Sequence, residues 1–302
     1  MKTVVRPMEQ GFIANREIER HGLIVTGSQG RVGRLIQQFV NQAESEHFRM
    51  FSIFWTSRSG LMHCHQWDLL LKGEPNLPKG AFLLHLAAVL PRPGNLQDVS
   101  ANVTLAQSII DADQGARFRH VFFLSTVAVY GAQTGVLSEE CQADPRSPYG
   151  HAKLMAEMRL AEAFGERLTI LRLANLAGAD SLLGGNPQQS EIILDPVEGS
   201  SGGPVRSYIG PITFVNVLAK LLALRASGER LPPILNIAQP GTVSMGALLE
   251  ASKVRWRFGP LRFDITPSVE VDVSKLATLC DSEPATAASI LAELDKLRGE
   301  WP

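Results

Sequence analysis

Tyr149 and Lys153 stand four residues apart in Arg146-Ser147-Pro148-Tyr149-Gly150-His151-Ala152-Lys153. On a helix, positions i and i+4 share a face. Ser147 suits the cap and Pro148 the first turn of such a helix. A free phenol titrates near 10 and is a poor base at neutral pH. A neighbouring ammonium favours the phenolate, and a depression of about three pH decades needs about 4 kcal/mol of differential stabilisation. Tyr149 could then carry a proton to or from a substrate oxygen. Thr126, in Ser125-Thr126-Val127-Ala128-Val129-Tyr130-Gly131, closes an apolar run and could hold the same oxygen. The plain alternative is a surface tyrosine beside a solvated lysine; with only three tyrosines in the chain, the placement favours chemistry.

A second constellation is Gly27-Ser28-Gln29-Gly30-Arg31-Val32-Gly33. It follows the apolar run Leu23–Thr26 and precedes Val32, Leu35, Ile36, Phe39 and Val40, which recur at helical spacing. Strand, GxxGxxG and helix form the context of a dinucleotide-binding loop. Gly27 allows the tight turn, Gly30 lets backbone approach a pyrophosphate, and Gly33 lets helix and strand pack closely. Free N–H groups and the helix dipole favour the phosphate charge. An acid at the end of the second strand would bond a ribose 2′-hydroxyl. The chain has Thr56-Ser57-Arg58 there, and the planar fork of Arg58 could pair with a 2′-phosphate. NADP is therefore favoured over NAD, the alternative being a solvated Arg58. With such a cofactor, Tyr149 would move the proton while hydride moves at carbon, and Lys153 could bond the nicotinamide ribose.

These groups must be held by regular elements. Strands are expected at Leu23–Thr26, Met50–Trp55, Ala81–Leu90, His120–Leu124 and Leu168–Leu173, alternating with helices after the glycine loop, at Val99–Ala112 and at Tyr149–Phe164. The order predicts an α/β fold, a Rossmann-like doubly wound parallel sheet. Residues 179–205 read as loops around a short strand, Glu191–Leu194. A helix at Ile212–Ala226 and a strand at Ile234–Ile237 follow. Residues 243–302 read as two amphipathic helices and a short strand near Phe263–Ile265. The expected division is a cofactor domain over 1–174, to which 206–240 returns, and a smaller C-terminal α/β substrate domain from 175–205 and 241–302.

Composition narrows the partners. The 302 residues carry 29 basic and 30 acidic side chains, a net charge of −1, which argues against nucleic acid held by phosphate attraction. No apolar run reaches the about 18 residues of a membrane span. The first 22 residues lack the apolar segment of a secretory signal. Cys64, Cys141 and Cys280 fit neither a disulfide framework nor a metal ladder, so reduced thiols, a cytoplasmic location and no metal are expected.

The segments Thr-Gly-Ser-Gln-Gly-Arg-Val-Gly (26–33), His-Leu-Ala-Ala (85–88), Ser-Thr-Val-Ala-Val-Tyr-Gly (125–131) and Tyr-Gly-His-Ala-Lys (149–153) together resemble the extended short-chain dehydrogenase/reductases. The nearest branch is the NAD(P)-dependent epimerase/dehydratase group acting on nucleotide sugars. Arg172-Leu-Ala-Asn175, Arg206-Ser-Tyr-Ile209 and Leu235-Asn-Ile-Ala238 sit where that family has similar segments. The resemblance implies Tyr149 as acid/base, Lys153 as its partner and Thr126 as the family's Ser or Thr. It implies that Gly27, Gln29, Gly30, Arg31, Val32 and Gly33 hold the cofactor. Leu86, Ala87 and Ala88 would line it, Asp68 and Leu69 would lie beside the adenine, and Asn102 would match a helix asparagine. An exposed loop acid and a helix-packing amide are the alternatives for Asp68 and Asn102. Asn175 and Arg206 would face substrate or its phosphates, and helices 99–112 and 149–164 would form a homodimer face.

Three departures bear on substrate. Dehydratases of this family resemble Thr-Asp-Glu where this chain has Thr126-Val127-Ala128, which disfavours dehydration. The stretch between Asn175 and Arg206 is short for a full nucleotide-sugar pocket, and Ser207 stands where epimerases often have Asp. The main expectation is an NAD(P)-dependent epimerase or oxidoreductase on a sugar-like hydroxyl or carbonyl. An NADPH-dependent reductase of a small carbonyl compound and a non-catalytic NAD(P)-sensing protein are the competing readings.

Overall fold

The computed structural model describes residues 20–41, 46–59, 64–71, 75–91, 98–184, 191–262 and 265–297. Its first strands are β1 (His21–Thr26), β2 (Phe51–Ser57), β3 (His65–Gln66), β4 (Phe82–His85) and β5 (His120–Thr126). The helices among them are α1 (Arg31–Asn41) and α2 (Ala101–Ala116). Then come β6 (Val136–Leu137), α3 (Pro148–Phe164), β7 (Leu168–Leu173), β8 (Asn175–Leu176) and β9 (Ile192–Leu194). They are followed by β10 (Val205–Arg206), β11 (Tyr208–Ile209), α4 (Pro211–Ala226) and β12 (Ile234–Ile237). The last elements are β13 (Val243–Ser244), α5 (Met245–Ala251), β14 (Trp256–Phe258), β15 (Ser268–Val271), α6 (Ser274–Ala277) and α7 (Ala287–Leu297).

Seven strands form the main sheet in the order β12-β7-β5-β4-β1-β2-β3, all pairs parallel. Near-continuous apolar strands are required because both faces are buried. Side-chain alternation sorts them. Leu23 and Val25 of β1, Phe82 and Leu84 of β4, and Phe122 and Leu124 of β5 enter one core with α1 and α4. Ile24, Leu83, Val121 and Phe123 enter the opposite core with α2 and α3. The sheet is thus sandwiched between helical layers, a Rossmann-like α/β fold.

The order reverses between β1 and β4, since β1 leads by α1 to β2 on one side while β4 lies on the other. Ligand crevices in open α/β sheets lie outside the strand carboxyl ends at such a reversal. Thr26, Ser57, His85 and Thr126 are the last residues of their strands and so share that edge.

Three boundaries differ from the pattern. The apolar run Ala81–Leu90 makes a strand only to His85, and the Leu86 N–H to Thr26 O bond, 3.3 Å, is the rung that closes its pairing with β1. Among the described residues, three helices rather than two follow residue 243, one of them a single turn. The expected strand near Phe263–Ile265 falls largely outside the described residues, and the strands found are β14 and β15. A four-stranded sheet, β13-β10-β15-β6, and two-stranded pairs β11-β8 and β14-β9 complete the chain. Among the described residues no helix is long and apolar enough to cross a membrane.

Candidate functional site

The glycine loop leaves β1 at a left-handed Gly27, φ 72°. A Cβ on Gly27 would lie 2.5 Å from Ala87 N and 2.8 Å from Leu86 C, so β1 and β4 close together only around a glycine. Gly30 N–H donates to Gly27 O at 3.0 Å, and Arg34 N–H to Gly30 O at 2.9 Å. A Cβ on Gly33 would overlap the Gly27 carbonyl and Ser28, which fixes helix α1 tightly against the loop. The first N–H groups of α1, at Arg31, Val32 and Gly33, have no partner within the helix. They face outward with the positive end of the helix dipole, beside exposed Gln29 and Gly30. This cradle of free N–H groups, kept close to β4 and α1 by glycines that admit no Cβ at 27 and 33, fits the pyrophosphate of a dinucleotide. Arg31 is tied down elsewhere: its Nη1 donates to Asp180 O at 3.0 Å.

Beyond it, the buried Ser28 hydroxyl donates to Thr56 O at 2.7 Å, pinning the loop to the end of β2. Arg58 follows that end and is exposed. Asp68 accepts Leu70 N–H at 3.0 Å in a turn, and Leu69 is buried beneath. Across the crevice, Leu86 is buried, Ala87 half-buried and Ala88 exposed. Asn102 has its amide fully used: Oδ1 accepts Val89 N–H at 3.0 Å, and Nδ2 donates to Val89 O at 2.9 Å and Val99 O at 2.8 Å. It shapes the loop after β4, the helix-packing alternative of its two readings.

Thr126 Oγ1 accepts Ala128 N–H at 3.2 Å, which leaves its hydroxyl hydrogen for another acceptor. Helix α3 starts as its residues dictate, with Ser147 Oγ accepting Gly150 N–H at 3.0 Å and Pro148 in the first turn. Tyr149 and Lys153 project one turn apart. Lys153 is 1% exposed, donates to Leu124 O at 2.7 Å and lies 3.9 Å over the Phe123 ring. Burial drives its ammonium down to about 7, with Glu157 opposing. Burial pushes the Tyr149 phenol up to about 12. In the chain without cofactor, burial sets the direction for Tyr149, and the Lys153 ammonium spends its hydrogen bond on Leu124 O.

Sequence reasoning passed over the polar layer beneath. His85 is 1% exposed, shares a 2.7 Å hydrogen bond with Thr26 Oγ1, stacks on Phe123, and is held neutral down to about 3 by burial and Lys153. Glu157 accepts from Ser125 Oγ and from Arg172, whose Nη2 is at 2.8 Å. The available signal was charge at inward helix and strand positions.

Two substrate candidates lie apart from this layer. Asn175 pairs through its backbone with Tyr208, and Asn175 N–H reaches Ser207 O at 3.3 Å. Arg206 spends its guanidinium on the carbonyls of Val205, Thr266 and Pro267, at 2.7, 2.8 and 3.2 Å, tying β10 to the chain before β15.

Comparison with known proteins follows the same crevice. Curated relatives include the UDP-glucose 4-epimerase of Azospirillum brasilense, 41% identical over 83 residues, 26% of this chain and 24% of that protein. The UDP-glucose 4-epimerase of Corynebacterium glutamicum is 29% identical over 181 residues, 54% of each chain. The chain thus spans about half the length, or less, of the curated relatives it matches. Among solved structures, MoeE5 in complex with UDP-glucose and NAD superimposes with a TM-score of 0.68 at 22% identity, over 92% of this chain and 98% of that one. The dTDP-glucose 4,6-dehydratase DesIV of Streptomyces venezuelae, with NAD and TYD bound, gives 0.71 at 17% identity, over 92% and 97%. At these identities the structures establish the fold. The model of the NAD dependent epimerase/dehydratase family matches residues 23–195, more than half of the chain and every strand end of the crevice from β1 to β7, and the chain belongs to that family.

Proposed function

We propose that the chain is an NAD(P)-dependent epimerase or oxidoreductase acting on a hydroxyl or carbonyl of a nucleotide-sugar-like substrate, with Tyr149 as acid/base. The observation that carries this reading is the helix α3 pair, Tyr149 and Lys153. Lys153 is fastened to Leu124 O, two residues before Thr126, at the sheet edge that also carries the glycine cradle.

The loop from Gly27 to Gly33 would hold the pyrophosphate of NAD(P) through backbone N–H groups, with Gln29, Arg31 and Val32 among its contacts. Leu86, Ala87 and Ala88 form the wall opposite, Asn102 fixes that wall, and Asp68 and Leu69 bound the adenine side. A bound NAD(P) would supply a reversible hydride acceptor and, in its oxidised form, a positive charge near Tyr149 and Lys153. Tyr149 Oη takes the proton of the substrate hydroxyl and gives it back, while the Thr126 hydroxyl donates to the same oxygen. With its phenol near 12 in the chain alone, Tyr149 works as a base only when added positive charge joins Lys153. The absence of an acid pair after Thr126 supports epimerisation over elimination of water. Asn175 and Arg206 are assigned to the substrate side.

Exposed Arg58 at the end of β2, with no acid beside it in Thr56-Ser57-Arg58, supports NADP and a second reading, reduction with NADPH. The same overall reading includes a homodimer through α2 and α3, where Met155 and Met158 are 48% and 60% exposed. It includes a cytoplasmic location, in keeping with three free cysteines. It divides the chain into a cofactor unit, 1–174 with 206–240, and a substrate unit, 175–205 with 241–302; β6 crosses this boundary to join the second sheet.

The test is turnover on a nucleotide-sugar panel with NAD, NADP and their reduced forms. Epimerisation gives product without net cofactor change, and reduction consumes NADPH one for one. Tyr149→Phe should lower turnover about 10²–10⁴-fold with cofactor affinity kept. Unchanged turnover in that variant removes Tyr149 from the chemistry.

A further inference from the structure

Three tethers converge where β5 meets α3. Lys153 Nζ donates to Leu124 O, the Ser125 hydroxyl donates to Glu157, and Arg172 of β7 donates to Glu157 through Nε at 3.3 Å and Nη2 at 2.8 Å. The side chains of Arg172 and Glu157 are 5% and 3% exposed. Glu157 lies one helical turn beyond Lys153, on the face that carries Tyr149. From these contacts we infer that Glu157 is a positioning residue, the buried counter-charge that keeps Lys153 an ammonium and locks the Tyr149–Lys153 pair against Thr126. This inference rests on the function proposed above.

A lone buried ammonium sheds its proton, because low dielectric disfavours charge. The titratable groups of the layer around Lys153 and Glu157 come from four elements. On β4, His85 is neutral and bonded to Thr26. In the turn after β5, the buried Tyr130 ring lies under the Arg172 guanidinium, 4.8 Å from its carbon to the ring centre, and its hydroxyl donates to Asn236. On β7, Arg172 directs its charge into Glu157 and that ring. On α3 are the Tyr149 phenol and Glu157. Glu139, beyond Tyr130, is occupied by Asn236 N–H and Lys275. Glu157 is therefore the carboxylate placed to favour the ammonium, and burial and Glu157 do act on Lys153 in opposite directions. Ser125 adds the geometric half: it precedes Thr126, so the bond to Glu157 fixes the Thr126 hydroxyl relative to α3.

The test is Glu157→Gln in the full chain, nearly isosteric and uncharged. Lysine side-chain NMR, with Lys153 assigned by Lys153→Met, follows its titration. The midpoint should fall by one pH unit or more, about a tenfold change in the ammonium-to-amine ratio. The limb of the kcat pH profile set by Lys153 should move with it while KM stays. Glu157→Gln leaves Arg172 unpaired, so Glu157→Gln/Arg172→Gln, which leaves no unpaired guanidinium, serves if the single variant does not fold, and a downward shift is again expected. A folded variant with the midpoint and the kcat profile both unmoved makes Glu157 a packing pin and overturns the inference. A wild-type chain without turnover refutes the proposed function, whereas the NMR midpoint still decides the role of Glu157.

Discussion

Replacing Lys153 by Met should abolish turnover yet stabilise the chain. Burial draws the ammonium from its ordinary 10.5 to about 7. That is about 3.5 pH decades, or about 5 kcal/mol at 1.36 per decade, held against folding at neutral pH. Methionine fills similar space without charge. It forfeits the bond to Leu124 O, about 1–3 kcal/mol if that carbonyl goes unmatched, and about 1–2 kcal/mol of contact over Phe123. The net gain is about 0–3 kcal/mol at pH 7. Because the folded value lies below the unfolded one, the unfolded chain carries the extra proton between about 7 and 10.5. Wild-type stability therefore rises as pH climbs through that window, and the variant lacks this rise. Urea unfolding at about pH 6, 8 and 10 should show the variant ahead at 6, the gap closing at 8 and reversed at 10. A gap independent of pH would refute a desolvated ammonium at this position.

The glycine and histidine positions give two more tests. Gly27→Ala adds about 1–2 kcal/mol of left-handed strain and about 1–3 kcal/mol of overpacking against Ala87. Calorimetry should find NAD(P) affinity down more than tenfold, whereas Gly131→Ala, equally left-handed at φ 75°, should cost stability and spare affinity. His85 and His120 are both held to about 3, chiefly by burial. Their neutral forms contribute stability above about 6.5 that is lost as pH falls toward 3, by about 1.4 kcal/mol per decade each. Denaturant midpoints between pH 7 and 4 should fall accordingly, and His120→Gln should flatten part of that slope.

The main sheet was legible because its strands are buried on both faces and its helices are amphipathic, as Leu23–Thr26 and the run through Leu35, Ile36 and Phe39 show. The glycine loop was legible because Gly27 and Gly33 are steric necessities whose spacing survives in one dimension. The overlong third strand arose because apolarity continues through Val89 and Leu90 after the rung to β1 at Leu86 has closed the pairing. Two-residue strands such as β6, β10 and β13 carry no periodicity, and long-range pairing alone makes them strands. Glu157, Ser125 and Arg172 lie on three elements, so nothing local announced their meeting. For Tyr149 and Lys153, spacing fixed the shared helix face, but the sign of the effect on Tyr149 depended on burial, a tertiary property.

The second sheet also sets an order of assembly. β6 pairs with β15 through Glu270↔Val136 and Val271↔Leu137. At about 5–20 residues per second of synthesis, the partner of β6 emerges about 7–26 s after β6 itself. Strands β1, β2, β4 and β5 find each other far sooner, since contacts between nearby segments close first. A nascent chain thus forms its glycine cradle while Val136, Leu137 and the Tyr130 turn still wait for residues 268–271. The Asn236 amide, which donates to Leu137 O and Asp272 O at 3.0 Å each, seals that junction at the end. The second sheet is complete only when the late strand docks, so a lesion in β15 would leave β6 and the Tyr130 turn without their partner while the glycine cradle is already formed.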